Sequence, residues 1–188
     1  MPKLKEEEIV ERWSVLIPEA NGRGKELFRK IREIIKGVEA PKIEFVEKAI
    51  SPSLIRKLKG EAKTFLVAQN TYLEGYLMYI GASDYGKQLF VSWYLTLEPG
   101  GAEKFIANLP WWAQLPLLPI VIPFIIYRKF RKKAVAPPDM DILHLEELTA
   151  YVTTGHHAVI DATREISQSV DFDFTKVDTK SRGFLNIS

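Results

Sequence analysis

Cysteine is missing altogether from the 188 residues. That excludes disulfides and thiolate metal sites while leaving the compartment open. Net charge is nearly missing as well. The 26 Lys and Arg against 24 Asp and Glu leave +2 with histidine neutral, too little to argue for a nucleic-acid partner. The opening stretch MPKLKEEEIVERW contains no apolar run of the kind that forms a secretory signal, so the expectation is the cytoplasmic side. No nucleophile elbow, Ser-His-Asp order or Gly-rich dinucleotide fingerprint is present. Internal repeats and low-complexity stretches are also absent. The 46% hydrophobic and 27% charged fractions are those of a globular protein, neither disordered nor polytopic.

What the chain does have is one long apolar stretch. Residues 105–127, FIANLPWWAQLPLLPIVIPFIIY, contain no charge, and the basic run Arg128-Lys129-Phe130-Arg131-Lys132-Lys133 follows directly. Leu117, Ile120, Ile122, Phe124 and Ile125 are among its Leu, Ile, Val and Phe residues, each favouring bilayer insertion by roughly 0.3–0.6 kcal/mol. Trp111, Trp112 and Tyr127 are suited to the headgroup level, where an amphipathic ring meets both solvents. The cations add about 1 kcal/mol each near an anionic surface. Pro116, Pro119 and Pro123 each remove an amide donor and crowd the preceding turn, which argues against an unbroken spanning helix. A kinked, re-entrant or interfacial segment fits these constraints. The competing interpretation is a buried core or oligomer contact.

Around this stretch the chain divides into residues 1–100, 101–138 and 139–188. Residues 4–13 are read as a short helix ended by Pro18. Leu27, Phe28, Ile31, Ile34, Ile35 and Val38 share one helical face and predict a helix over 24–38, with Asn21-Gly22-Arg23-Gly24 as the turn before it. Strands are predicted at 42–50, 64–69, 73–82 and 88–97. The last is the clearest, because Leu89, Val91, Trp93, Leu95 and Leu97 alternate with Gln88, Phe90, Ser92, Tyr94 and Thr96. Ser51-Pro52 suggests one helical turn over 52–59, and residues 134–138 are a linker. Asp139 or Asp141 caps a long helix reaching about Gln168. Leu145, Leu148, Val152, Gly155, Val159, Ala162 and Ile166 recur along it at alternating spacings of three and four, a seam that must bury against something. VDFDFTKV at 170–177 alternates like a short edge strand, Ser181-Arg182-Gly183 breaks it, and the end is expected to fray.

Candidate chemistry is sparse. His157, Asp161 and Glu165 stand four apart on the helix face opposite the seam, a ligand set acceptable to a divalent transition metal. A solvated polar face accounts for the same pattern, and no second such helix completes a bundle-type site. No metal or other cofactor is expected. Asp84, Tyr85 and Lys87 occupy a hairpin tip, where turn chemistry alone selects such residues. Gly22-Arg23-Gly24-Lys25 precedes a helix as phosphate-binding loops do, without their preceding strand or spacing. Tyr76, Tyr79, Trp93 and Tyr94 are core candidates, since no cations interleave with them as in a base-stacking platform.

These features predict an α+β fold: an antiparallel sheet of about four strands with two flanking helices, interrupted by the Pro-rich apolar segment. The helices' apolar stripes match the two sheet faces, so both halves of the chain share one core. The function expected is a non-enzymatic, membrane-associated module at the cytoplasmic face, with membrane lipid and a protein partner or a second copy as partners. The alternatives are a soluble subunit of a homo-oligomeric assembly that uses 105–127 as its contact, and a small metal-dependent enzyme on the polar face of helix 141–167.

Overall fold

Alternation in the strands and a three-four rhythm in the helices set the architecture seen in a computed structural model, which describes residues 9–40, 42–50, 63–73, 75–97, 141–185 and 187–188. The elements are β1 (Ile9–Ile17), α1 (Gly24–Gly37), β2 (Ile43–Ile50), β3 (Lys63–Asn70), β4 (Tyr76–Tyr85), β5 (Gln88–Leu97), α2 (Ile142–Ser169), a 3-10 turn at Phe174–Lys176, and the two-residue β6 (Arg182–Gly183). The protein is α+β, with an antiparallel sheet in the order β2-β3-β4-β5-β1-β6. The four expected strands are all present and form a meander. Two more extend it, so among the described residues the sheet has six strands rather than about four.

The first addition corrects the helix expected over 4–13. Residues 9–17 form β1, paired with β5 in the register Trp13 to Trp93, Val15 to Val91 and Ile17 to Leu89. Pairing with an already apolar strand outweighs the helix preference of the charged residues around Ile9. The second addition corrects the carboxy-terminal end. VDFDFTKV is not a strand. Asp173 Oδ1 accepts from the Thr175 amide at 3.1 Å and the Thr175 hydroxyl at 2.6 Å, which turns the chain into the 3-10 element. The edge strand lies instead at Arg182–Gly183, in the tripeptide expected to break structure. The end is anchored rather than frayed: Ile187 is buried, and Ser181 N donates to the Ile187 carbonyl at 2.8 Å.

The expectation that the two helices take opposite faces is also corrected. Met78, Ile80 and Ala82 point to one face of β4. A Cβ on Gly155 of α2 would fall 2.6 Å from Met78 Sδ, and one on Gly24 of α1 would fall 3.3 Å from Ala82 Cβ. Both helices therefore lie on that face, where Lys30 of α1 pairs with Glu165 of α2. Leu27, Phe28, Ile31 and Ile35 are buried from α1. Leu148, Val152, Gly155, Val159, Ala162 and Ile166 of the seam are buried from α2, each large side chain contributing about 1.5–3 kcal/mol. The helical seam thus packs within its own chain. The opposite sheet face has its own apolar cluster of Ile50, Val67 and Tyr79, joined by Phe65, Leu77 and Tyr94.

Asp141 caps α2 by accepting from the His144 amide at 2.9 Å, and that bond pulls its carboxyl below the usual range. The described residues of 9–97 and of 141–188 belong to one compact unit. The expected helical turn at 52–59, the apolar segment 105–127, the basic run 128–133 and the linker 134–138 lie outside the described residues. None of the described helices is long and apolar enough to cross a membrane.

Candidate functional site

Two features meet where β1 runs beside β5 and the carboxy-terminal segment folds back on them. The first is buried. Trp13 and Trp93 are register partners, and the imidazole of His156 on α2 stands edge-on to both, with centroid separations of 6.2 and 5.5 Å. Trp93 Nε1 donates to His156 Nδ1 at 3.1 Å. His156 is fully buried. Burial, assisted by the neighbouring His157, pushes its pKa down to about 4 against a weaker opposing contribution from the Thr179 backbone. The ring is therefore a neutral packing element.

The second feature is open. β1 places Arg12 and Ser14 on the sheet face away from the helices, with Arg12 opposite Tyr94. Trp13 Nε1 reaches past the strand edge to the Asp178 carbonyl at 2.8 Å. Glu11, fully buried, accepts from the Ser181 hydroxyl and from the Leu185 amide at 2.7 Å. Gly183 lies so close to β1 that a Cβ there would collide with the Val10 carbonyl and with Glu11. These anchors hold residues 178–182 as a wall beside β1. The result is a cleft of about 310 Å³ lined by Arg12, Trp13, Ser14, Tyr94, Asp178, Lys180 and Arg182.

Among the described residues three cations and one carboxylate line that cleft. The Asp178 carboxylate accepts from the backbone amide of Lys180 at 3.1 Å and stands 3.8 Å from Arg182. Among the described residues no carboxylate pairs with Arg12 or Lys180. The arrangement offers a concave positive surface with aromatic and hydroxyl groups in its floor.

The residues singled out in the sequence fare differently. Trp111, Trp112, Leu117, Ile120, Ile122, Phe124, Ile125, Tyr127, Arg128, Lys129, Arg131, Lys132 and Lys133 all lie outside the described residues. His157, Asp161 and Glu165 share a helix but are drawn to separate neighbours. His157 Nε2 approaches the Ser188 carbonyl at 3.3 Å, Asp161 pairs with Arg164 at 2.7 Å, and Glu165 pairs with Lys30. Among the described residues no group of three or more His, Asp or Glu is placed to hold a metal ion. Asp84 serves the fold, its Oδ1 accepting from the Gly22 amide at 2.9 Å, which ties the hairpin tip to the turn before α1. Gly24 packs tightly on Ala82, and Arg23 bonds Ser169, so the Gly22–Lys25 turn is accounted for by packing. Tyr76, Tyr79 and Trp93 are buried, as expected of core residues, whereas Tyr94 is half-buried and lines the cleft.

The cleft was missed in the sequence because its members are spread over positions 12 to 182. The signal that could have found it is the β1–β5 pairing. Comparison with protein-family models, with curated proteins and with solved structures finds no match to this chain.

Proposed function

We propose that the protein is a non-enzymatic, membrane-associated module that binds or scaffolds a protein partner at the cytoplasmic face. The observation that carries this reading is the uncharged stretch 105–127 followed at once by five cations within six residues. Apolar insertion on the order of 3–6 kcal/mol and the attraction of the cations to anionic lipid act at adjacent positions. The shared core adds support for a monotopic arrangement. β5 ends at Leu97 and α2 begins at Ile142, and both belong to one compact body. A segment between them that enters a bilayer must return to the side it left, which agrees with its three internal prolines.

Membrane flotation of the full chain tests this, beside a variant lacking residues 109–133 and the full-length Ile120→Asp/Ile125→Asp double variant. The full chain is expected to float with anionic vesicles and both variants to stay behind. Two charges at depth cost roughly 2.5–3.5 kcal/mol each, comparable to the whole insertion gain. A full chain that remains with the unbound protein and runs as a defined multimer would instead identify 105–127 as a subunit contact.

A further inference from the structure

We infer that the cleft between β1, β5 and the carboxy-terminal segment binds a phosphate monoester. The charge of the lining is the first ground. Among the described residues Arg12, Lys180 and Arg182 against Asp178 leave two positive charges in a single concavity, and clefts of one sign focus their field on an incoming ion. The identity of the charges is the second. Two guanidinium forks and an ammonium match the several oxygens of a phosphate. A carboxylate has one negative charge and two oxygens, whereas a phosphate monoester near neutral pH approaches two charges and has three free oxygens.

The third ground is that the site is held open before any ligand arrives. Lys180 and Arg182 flank Ser181, whose hydroxyl is bound to buried Glu11, and the Trp13 indole fixes the chain at Asp178. The Asp178 carboxylate is directed to the Lys180 amide and so does not neutralise Arg12. A volume of about 310 Å³ exceeds a bare phosphate and falls at the small end of organic-ligand sites. Tyr94 and Ser14 in the floor offer a ring face and a hydroxyl to the organic portion.

The phosphate monoester can arrive free in solution or as the headgroup of a lipid. Its described lining residues all belong to β1, β5 and the carboxy-terminal segment, so the assignment stands whether or not residues 105–133 meet a membrane.

The test uses the full chain and two probes. Glycerol phosphate is titrated while the Trp13 indole N–H resonance is followed, with glycerol as the uncharged control. In parallel, flotation compares phosphatidylcholine vesicles with and without phosphatidic acid. The variant is Arg12→Ala/Lys180→Ala, two exposed side chains outside the core, with Arg182→Ala as the second. A shift of the Trp13 resonance with glycerol phosphate but not glycerol, weakened about tenfold or more in the double variant, establishes a soluble ligand. Selective loss of the phosphatidic acid preference, in a double variant that keeps 128–133, establishes the lipid headgroup. Binding of glycerol phosphate and phosphatidic acid vesicles that is absent in the native chain, or unchanged in both variants, overturns the assignment.

Discussion

Trp93 donates its indole N–H to His156 Nδ1 across the buried interface between β5 and α2. Because the indole can only donate, Nδ1 must keep its lone pair, and the neutral ring holds its proton on Nε2. Protonating Nδ1 would remove the acceptor and place a charge between two tryptophans.

That pair makes stability depend on pH with a definite sign. The ordinary pKa of 6.5 falls to about 4 in the folded protein, so the unfolded chain binds the proton more readily. The stabilisation is complete above pH 6.5, declines as pH falls, and is gone below about 4. The window corresponds to about 3 kcal/mol. Urea unfolding of the native chain and His156→Gln across that range checks it. Gln can accept from Trp93 without titrating, so the difference between the two should shrink toward acid. Parallel curves would show that the imidazole does not stay neutral.

The packing of α2 on β4 gives a second prediction. Val152 is fully buried, and Val152→Asp should destabilise the folded body by more than about 3 kcal/mol through an unpaired buried charge. Gly155→Leu should cost about 1–3 kcal/mol, since a side chain there drives into the Met78 thioether. Denaturant midpoints measure both. A folded monomer with an unchanged midpoint from Val152→Asp would mean that the seam packs elsewhere.

Glu11 is the anchor of the carboxy-terminal segment. Glu11→Ala removes the acceptor of the Ser181 hydroxyl and the Leu185 amide, and leaving those donors buried costs about 1–3 kcal/mol. Amide exchange at residues 181–185 should accelerate while exchange in β3 and β4 holds. Uniform acceleration would instead indicate global destabilisation.

The basic run predicts a difference between lipids. Neutralising Arg128, Lys129, Arg131, Lys132 and Lys133 should weaken binding to anionic vesicles and leave neutral vesicles little changed. The surface-potential attraction acts on charge alone and decays within about 8 Å at physiological salt. Equal losses on both would assign the run a structural role.

Much of this fold was legible in the sequence, for reasons that also explain the rest. Strand β5 alternates over ten residues, and α1 and α2 carry apolar stripes long enough to outvote local ambiguity. β1 was not legible. Ile9, Val10, Trp13, Leu16 and Ile17 satisfy a helical spacing, while Trp13, Val15 and Ile17 satisfy a strand, and only pairing with β5 decides between them. β6 is two residues long and exists because Glu11 and Gly183 let the chain lie against β1. On the sheet face that both helices use, Gly24 and Gly155 come close to Ala82 and Met78, and their small size signals a close approach without naming the partner. The cleft depends on all of these placements together. Its cations look like ordinary surface residues until β1 and the carboxy-terminal segment are adjacent.

In the proposed arrangement the two flanks of the apolar stretch form one body on one side of a membrane. The absence of cysteine makes this directly measurable. Tyr85→Cys, at the end of β4 and 74% exposed, and Lys176→Cys, beyond α2 and with its side chain 82% exposed, each give the full chain a single thiol. Protein floated with phosphatidylcholine–phosphatidylglycerol vesicles is treated with a membrane-impermeant maleimide before and after detergent. Both variants are expected to float, and both thiols to react fully without detergent. One thiol reactive and the other protected until detergent is added, or no protein in the floated fraction, would contradict it.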